Sequence, residues 1–137
     1  MEQINALRAL LLTFPLWGQQ PLFIDSTDAA PECCGLFPLG LRELERREDV
    51  LGGCRQRLRQ TFLLRRHGCR GEDAASWLLQ LQQWLMEQAV ILQPAFGTGL
   101  QLRAEQGKLT KATQPGTGVY EVHITVEYTK EKEYGEN

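Results

Sequence analysis

The chain has 137 residues, of which 42% are hydrophobic and 23% charged, and its formal net charge is −2. That length suits one domain around one core, and the composition is that of an ordinary globular protein. The near-balanced charge excludes a protein that coats nucleic acid through its overall field, while leaving room for a local basic patch. Met1-Glu2-Gln3-Ile4-Asn5 lacks the basic start of a signal peptide, and Ala9-Leu10-Leu11-Leu12 is too short to span a bilayer, so a cytoplasmic protein without a membrane partner is expected. In that compartment Cys33, Cys34, Cys54 and Cys69 would stay thiols.

In chain order, Ile4, Leu7, Leu10, Leu11 and Phe14 follow a three/four spacing that predicts an amphipathic helix over Gln3 to Thr13, stopped before Pro15. Gly18 and Pro21 make a turn, Leu22-Phe23-Ile24-Asp25 reads as a short strand, and Asp25 through Pro31 is loop chemistry. Cys33 to Gly40 is apolar but broken by Gly35, Pro38 and Gly40, which predicts an irregular or edge segment along a sheet. Leu41 to Arg47 and Cys54 to Arg66 read as two strands reversing at Gly52-Gly53. Arg55, Arg57, Arg59 and Arg65 then share one face with Thr61 and Leu63, although Arg, Gln and Leu also suit a helix from Arg55 to Arg65.

Glu72 to Ala89 carries the strongest helical signal. Acidic residues occupy its first turn, and Ala74, Trp77, Leu78, Leu81, Trp84, Leu85 and Gln88 form one stripe. Gly99 to Ala104 alternates as a strand, with Gln106-Gly107 expected to turn the chain into Lys108 to Ala112. After a loop from Gln114 to Gly118, Tyr120, Val122, Ile124, Val126 and Tyr128 alternate with Glu121, His123, Thr125 and Glu127, the pattern of a strand with one buried and one wetted face. The expectation is an α+β domain over 1–129, a mainly antiparallel sheet with two principal helices packed on one face, followed by a charged, flexible tail over 130–137.

No constellation for catalysis emerges. Structural zinc favours C-x₂-C or C-x₂-H spacing, which lets two ligands grip one ion; Cys33-Cys34 are adjacent, and His67 and Cys69 are poorly spaced. Cys–His chemistry would have only His67 or His123 as base, and His123 falls on the wetted face. No P-loop or nucleophile elbow occurs, Gly97-Thr98-Gly99 lacks the rest of a dinucleotide fingerprint, and Gly116-Thr117-Gly118 reads as a loop. Asp25 and Asp28 follow a strand, where an active-site carboxylate can sit, yet their turn propensity favours capping. Trp77 and Trp84, seven apart, read as core. The arginine row is the main polar feature. It suits phosphates, acidic residues of a neighbouring strand or another subunit, or a solvated face.

Taken in order, the Leu-rich first helix, Leu22-Phe23-Ile24-Asp25, Phe37-Pro38-Leu39-Gly40, Gln60-Thr61-Phe62-Leu63-Leu64, Trp77-Leu78, Leu81-Gln82-Gln83-Trp84-Leu85, Gly116-Thr117-Gly118-Val119-Tyr120 and Ile124-Thr125-Val126-Glu127-Tyr128 resemble a phage family. The family is that of minor capsid or tail terminator proteins of long-tailed phages and prophages of Gram-positive bacteria. The resemblance implies a tail-terminator-like α+β subunit that is not an enzyme and needs no cofactor. It implies a ring, commonly hexameric, that caps the tail tube, stops its polymerisation and joins it to the head. Expected partners are further copies, the major tail tube protein, a head-closure or connector protein, and DNA passing through the lumen. The expected location is the host cytoplasm during assembly and the virion head–tail junction afterwards. In such a ring Arg55, Arg57 and Arg59 would meet a neighbour's Glu121 and Glu127 or line the lumen. Alternatives are another tail completion or head-closure component, a host-derived adaptor or, in a different class, a small cysteine-dependent metal-binding protein or enzyme.

Overall fold

The computed structural model describes residues 2–18, 20–25, 33–69, 71–114 and 117–132. In chain order the elements are α1 (Glu2–Leu11), β1 (Leu22–Ile24), β2 (Cys33–Glu48), β3 (Cys54–Cys69), α2 (Gly71–Met86), α3 (Ala89–Leu92), β4 (Thr98–Gln114) and β5 (Thr117–Lys132). The strands form one sheet in the order β1-β2-β3-β5-β4, with β1 parallel to β2 and every other neighbour antiparallel. The fold is mixed α+β and mostly strand.

The alternation expected in β5 sets the core. Phe62 lies opposite Ile124, Leu64 opposite Val122 and Leu58 opposite Tyr128, so the apolar faces of β3 and β5 coincide. β4 adds Leu102 beside Val126 and Ala104 beside Ile124. These side chains share one buried cluster with Ile4, Leu7, Leu10 and Leu11 of α1, Leu78, Leu81 and Leu85 of α2, Leu92 of α3, and Phe96. After α1, Thr13 Oγ1 donates to the Leu10 carbonyl at 2.6 Å and Phe14 N donates to the Leu11 carbonyl at 3.1 Å, closing the last turn just before Pro15. Phe14 then packs against Trp77 and Trp84, with ring centroids 5.8 and 5.2 Å away. The Trp77 indole N–H donates to the Leu16 carbonyl at 2.8 Å. The tryptophan stripe is therefore packing, with its polar atom satisfied by the chain that follows α1.

Three segments differ from their sequence expectations. Cys33 to Gly40 is continuous with the strand after it, and β2 runs unbroken to Glu48. Pro38 is tolerated because, among the described residues, β1 pairs with β2 only from Cys34 to Leu36, which leaves the rest of that flank an edge. Gln106-Gly107 does not reverse the chain; a register shift between Glu105 and Lys108 marks a bulge, and β4 continues to Gln114. β5 extends into the expected tail, with Lys130, Glu131 and Lys132 opposite Gln56, Arg55 and Cys54. The remaining tail residues, 133–137, lie outside the described residues, as does most of the loop expected over Asp25 to Pro31.

Candidate functional site

Residues on the other face of β3 and β5 form a charged ladder. The register sets Arg55 opposite Glu131, Arg57 opposite Thr129, Arg59 opposite Glu127 and Arg65 opposite Glu121. Arg65 donates from Nε and Nη2 to Glu121 Oε2 at 2.9 and 2.8 Å. Arg59 Nη2 donates to Glu127 Oε1 at 3.1 Å, and Arg55 Nε lies 3.6 Å from Glu131 Oε1. Glu127 is only 9% exposed, so removing Arg59 would leave a nearly buried carboxylate without its ion-pair partner. Glu131 and Arg55 are about two-thirds exposed, at 67% and 66%, and that rung contributes little. Arg57 has a different environment: its Nη1 donates to the Gly99 carbonyl at 2.9 Å and to Thr129 Oγ1 at 3.1 Å.

Of the candidate interface residues, then, Arg55, Arg59, Glu121 and Glu127 are joined within one chain, and Arg57 is held beside them. Of the readings open for the arginine row, the acidic neighbouring strand is the arrangement present here. Glu131 escaped sequence reasoning because it falls among the charged residues after the clean alternation. Its separation from Glu127, two turns of the period-two pattern, was the available signal. The β2 contribution, Glu45 opposite Arg57 and Arg47 opposite Arg55, was hidden by bulges after Pro38 and after Glu43 that reset which residues share a face.

At the other end of the ladder the Arg65 guanidinium lies over the Phe37 ring, 5.3 Å from its centroid. Arg66 points to the opposite face and stacks on Trp77 at 4.2 Å. His67 is half-buried, and its Nε2 is buried without a hydrogen-bond partner among the described residues. Burial, and then the Arg65 charge, hold the imidazole below its ordinary value of 6.5, with Glu121 acting in the opposite direction. In the unfolded chain His67 titrates near 6.5, so below that pH the unfolded state takes up a proton that the folded state resists. Stability should therefore fall as pH drops from 6.5 towards the lower folded value. Urea midpoints measured on either side of this window for the native chain and for His67→Gln check this. The native chain should lose more on acidification, and equal losses would refute the assignment.

The remaining candidates are dispersed. Asp25 adopts a left-handed backbone, with φ 58°, and its N–H donates to the Leu36 carbonyl at 2.8 Å. That is turn chemistry of a kind Asp tolerates; Asp28 lies outside the described residues. Cys33 and Cys34 are buried, and Cys34 Sγ donates to Gln20 Oε1 at 3.4 Å. Among the described residues no group of His, Cys, Asp and Glu is arranged to hold a metal ion, and no helix is long and apolar enough to cross a membrane. His123 is half-buried on the ladder face opposite Leu63. No protein-family model matches this chain, and no curated protein sequence matches it.

Proposed function

We propose that this chain is a structural subunit of a phage head–tail junction, a tail terminator that forms a ring on the tail tube and presents the surface to which the head joins. In this proposal α1 and α2 form a layer on one face of the sheet, and the subunit works through protein–protein contact without catalysis or a cofactor. The family resemblance supplies the idea, and the free edge of β2 is the observation that best supports it. From Phe37 to Glu48 the outer flank of β2 has no strand partner among the described residues. Along it Leu39 and Leu41 are 51% and 61% exposed. A long edge with apolar side chains invites pairing with another strand.

β4 is the opposite edge of the sheet and runs antiparallel to β2. The β2 edge of one subunit can therefore meet the β4 edge of the next and continue the sheet. Such a contact is heterologous, the type that closes into rings when the rotation permits. Because Arg59–Glu127 and Arg65–Glu121 are made within one chain, the seam in this proposal runs through the edges and not through those charges.

Electron microscopy of tails assembled with and without the protein tests the function: tails of unregulated length in its absence are expected. Normal-length tails that fail to join heads would replace termination with a completion or head-closure role. For the seam, Leu39→Lys with Leu41→Lys should reduce ring mass in sedimentation or on assembled tubes while leaving the monomer's thermal midpoint nearly unchanged, because both side chains are exposed.

A further inference from the structure

The far end of β2, β3 and β5 carries an arginine excess that the ladder does not neutralise. Arg47 stands directly opposite Arg55, and Arg42 directly opposite Arg59. Like charges opposed across an antiparallel pair destabilise it unless something intervenes. Beside the first of these pairs lies a cavity of about 270 Å³ lined by Glu45, Arg47, Arg55, Arg57 and Thr129. Three guanidiniums thus surround one carboxylate.

Their existing partners leave donors to spare. Arg57 is positioned by two neutral acceptors, the Gly99 carbonyl and Thr129 Oγ1, and among the described residues no carboxylate forms an ion pair with it. Arg47 holds Glu45 through Nε at 2.8 Å, and no other acceptor takes its terminal nitrogens among the described residues. Arg55 meets Glu131 only at 3.6 Å. Guanidinium groups match tetrahedral oxyanions through paired N–H donors, and a dianion accepts from several directions at once.

We infer that this cavity binds a phosphate-type oxyanion, held between Arg47, Arg55 and Arg57, with Thr129 positioning Arg57 from beneath. The anion neutralises the Arg47/Arg55 opposition, while Glu45 keeps its bond to Arg47 Nε. The site stands whether or not the chain forms a ring. Its ligand is either a free phosphate or the phosphate of a nucleic-acid backbone.

The test is an NMR titration of the arginine side-chain N–H signals with sodium phosphate, matched in ionic strength against chloride, and a parallel titration with a short DNA duplex. Saturable phosphate shifts at Arg47, Arg55 and Arg57 are expected. The double variant Arg47→Gln, Arg55→Gln should weaken them by about tenfold or more. Phosphate binding without duplex binding assigns the site to small phosphates. Duplex binding that weakens with added salt and in the double variant assigns it to a nucleic-acid backbone. Non-saturable shifts, or shifts equal in native protein and variant, overturn the site. Glu45→Gln provides a second reading that retains all three arginines: it should tighten phosphate binding several-fold, and unchanged or weaker binding also overturns the site.

Discussion

Phe62→Ala should lower the stability of the fold by about 3–5 kcal/mol. Phe62 is fully buried near the middle of β3, with Pro38 opposite on β2 and Ile124 opposite on β5. Phe96 meets it edge-on at 6.3 Å between ring centroids and meets Tyr128 at 5.3 Å. Truncation therefore removes a core ring that lies on the strand between β2 and β5 and packs on Phe96 after α3, and the surrounding sheet cannot collapse to fill the space. Typical domains are stable by only about 5–15 kcal/mol, so the variant would lose a large fraction of its margin. Equilibrium urea unfolding should show a lower midpoint with an unchanged slope. Leu79→Ala, on α2 and 62% exposed, is the matched control and should change stability by no more than about 0.5 kcal/mol. A loss below about 1 kcal/mol at Phe62 would remove it from the centre of the core.

Gly97→Ala is the second large effect and arises from the opposite fault, excess volume. A Cβ at Gly97 would collide with the Thr129 backbone carbonyl and approach Tyr128 Cδ2 to 3.0 Å. The first obstacle is part of β5 and cannot rotate away like the end of a side chain. The chain passes this closely because Phe96, one residue earlier, is drawn onto Tyr128. Accommodation requires β5 or the Phe96 turn to shift, at a cost of about 1–3 kcal/mol or more. Gly40→Ala tests whether the effect is local: among the described residues nothing lies within 4 Å of its Cβ position, so it should be close to neutral. Equal thermal midpoints for the two variants would sink the close-contact account.

Both sites show what the sequence could reveal. The β5 partners of Phe62 were legible because burial on one side and water on the other impose a period of two that survives without knowledge of neighbours, whereas Phe62 itself sits in a stretch whose Arg, Gln and Leu also suited a helix. α1 and α2 were legible for the same reason at a period near 3.6. Gly97 was not, since its constraint comes from Thr129, distant in sequence and brought close only by the sheet. β2 was obscured by glycines and a proline, which its edge position tolerates. Gln106-Gly107 offered a turn signal that serves equally well for a bulge. The arginine face was readable along β3. Its partners required knowledge that β5 lies next to β3 and in which alignment, and no local pattern specifies that. The proposed phosphate cavity was further out of reach, because two bulges in β2 decide that Arg47 and Glu45 share its face.

The spacing of the ladder has one more consequence, for how the strands find their alignment. Apolar alternation rejects any one-residue error, because every side chain would change face, but it is blind to errors of two. The charges are not. Shifting β5 by two residues in one direction would put Arg57 opposite Glu127 and leave Arg55 and Arg59 facing threonines; the other direction would put Arg57 opposite Glu131 and Arg55 opposite Glu133, but Arg59 would face Thr129 and Arg65 would face His123. Only the native alignment satisfies Arg55, Arg59 and Arg65 together. The uneven spacing of these residues acts as a parity check written in charge, detecting the misreadings that the greasy face would pass as correct.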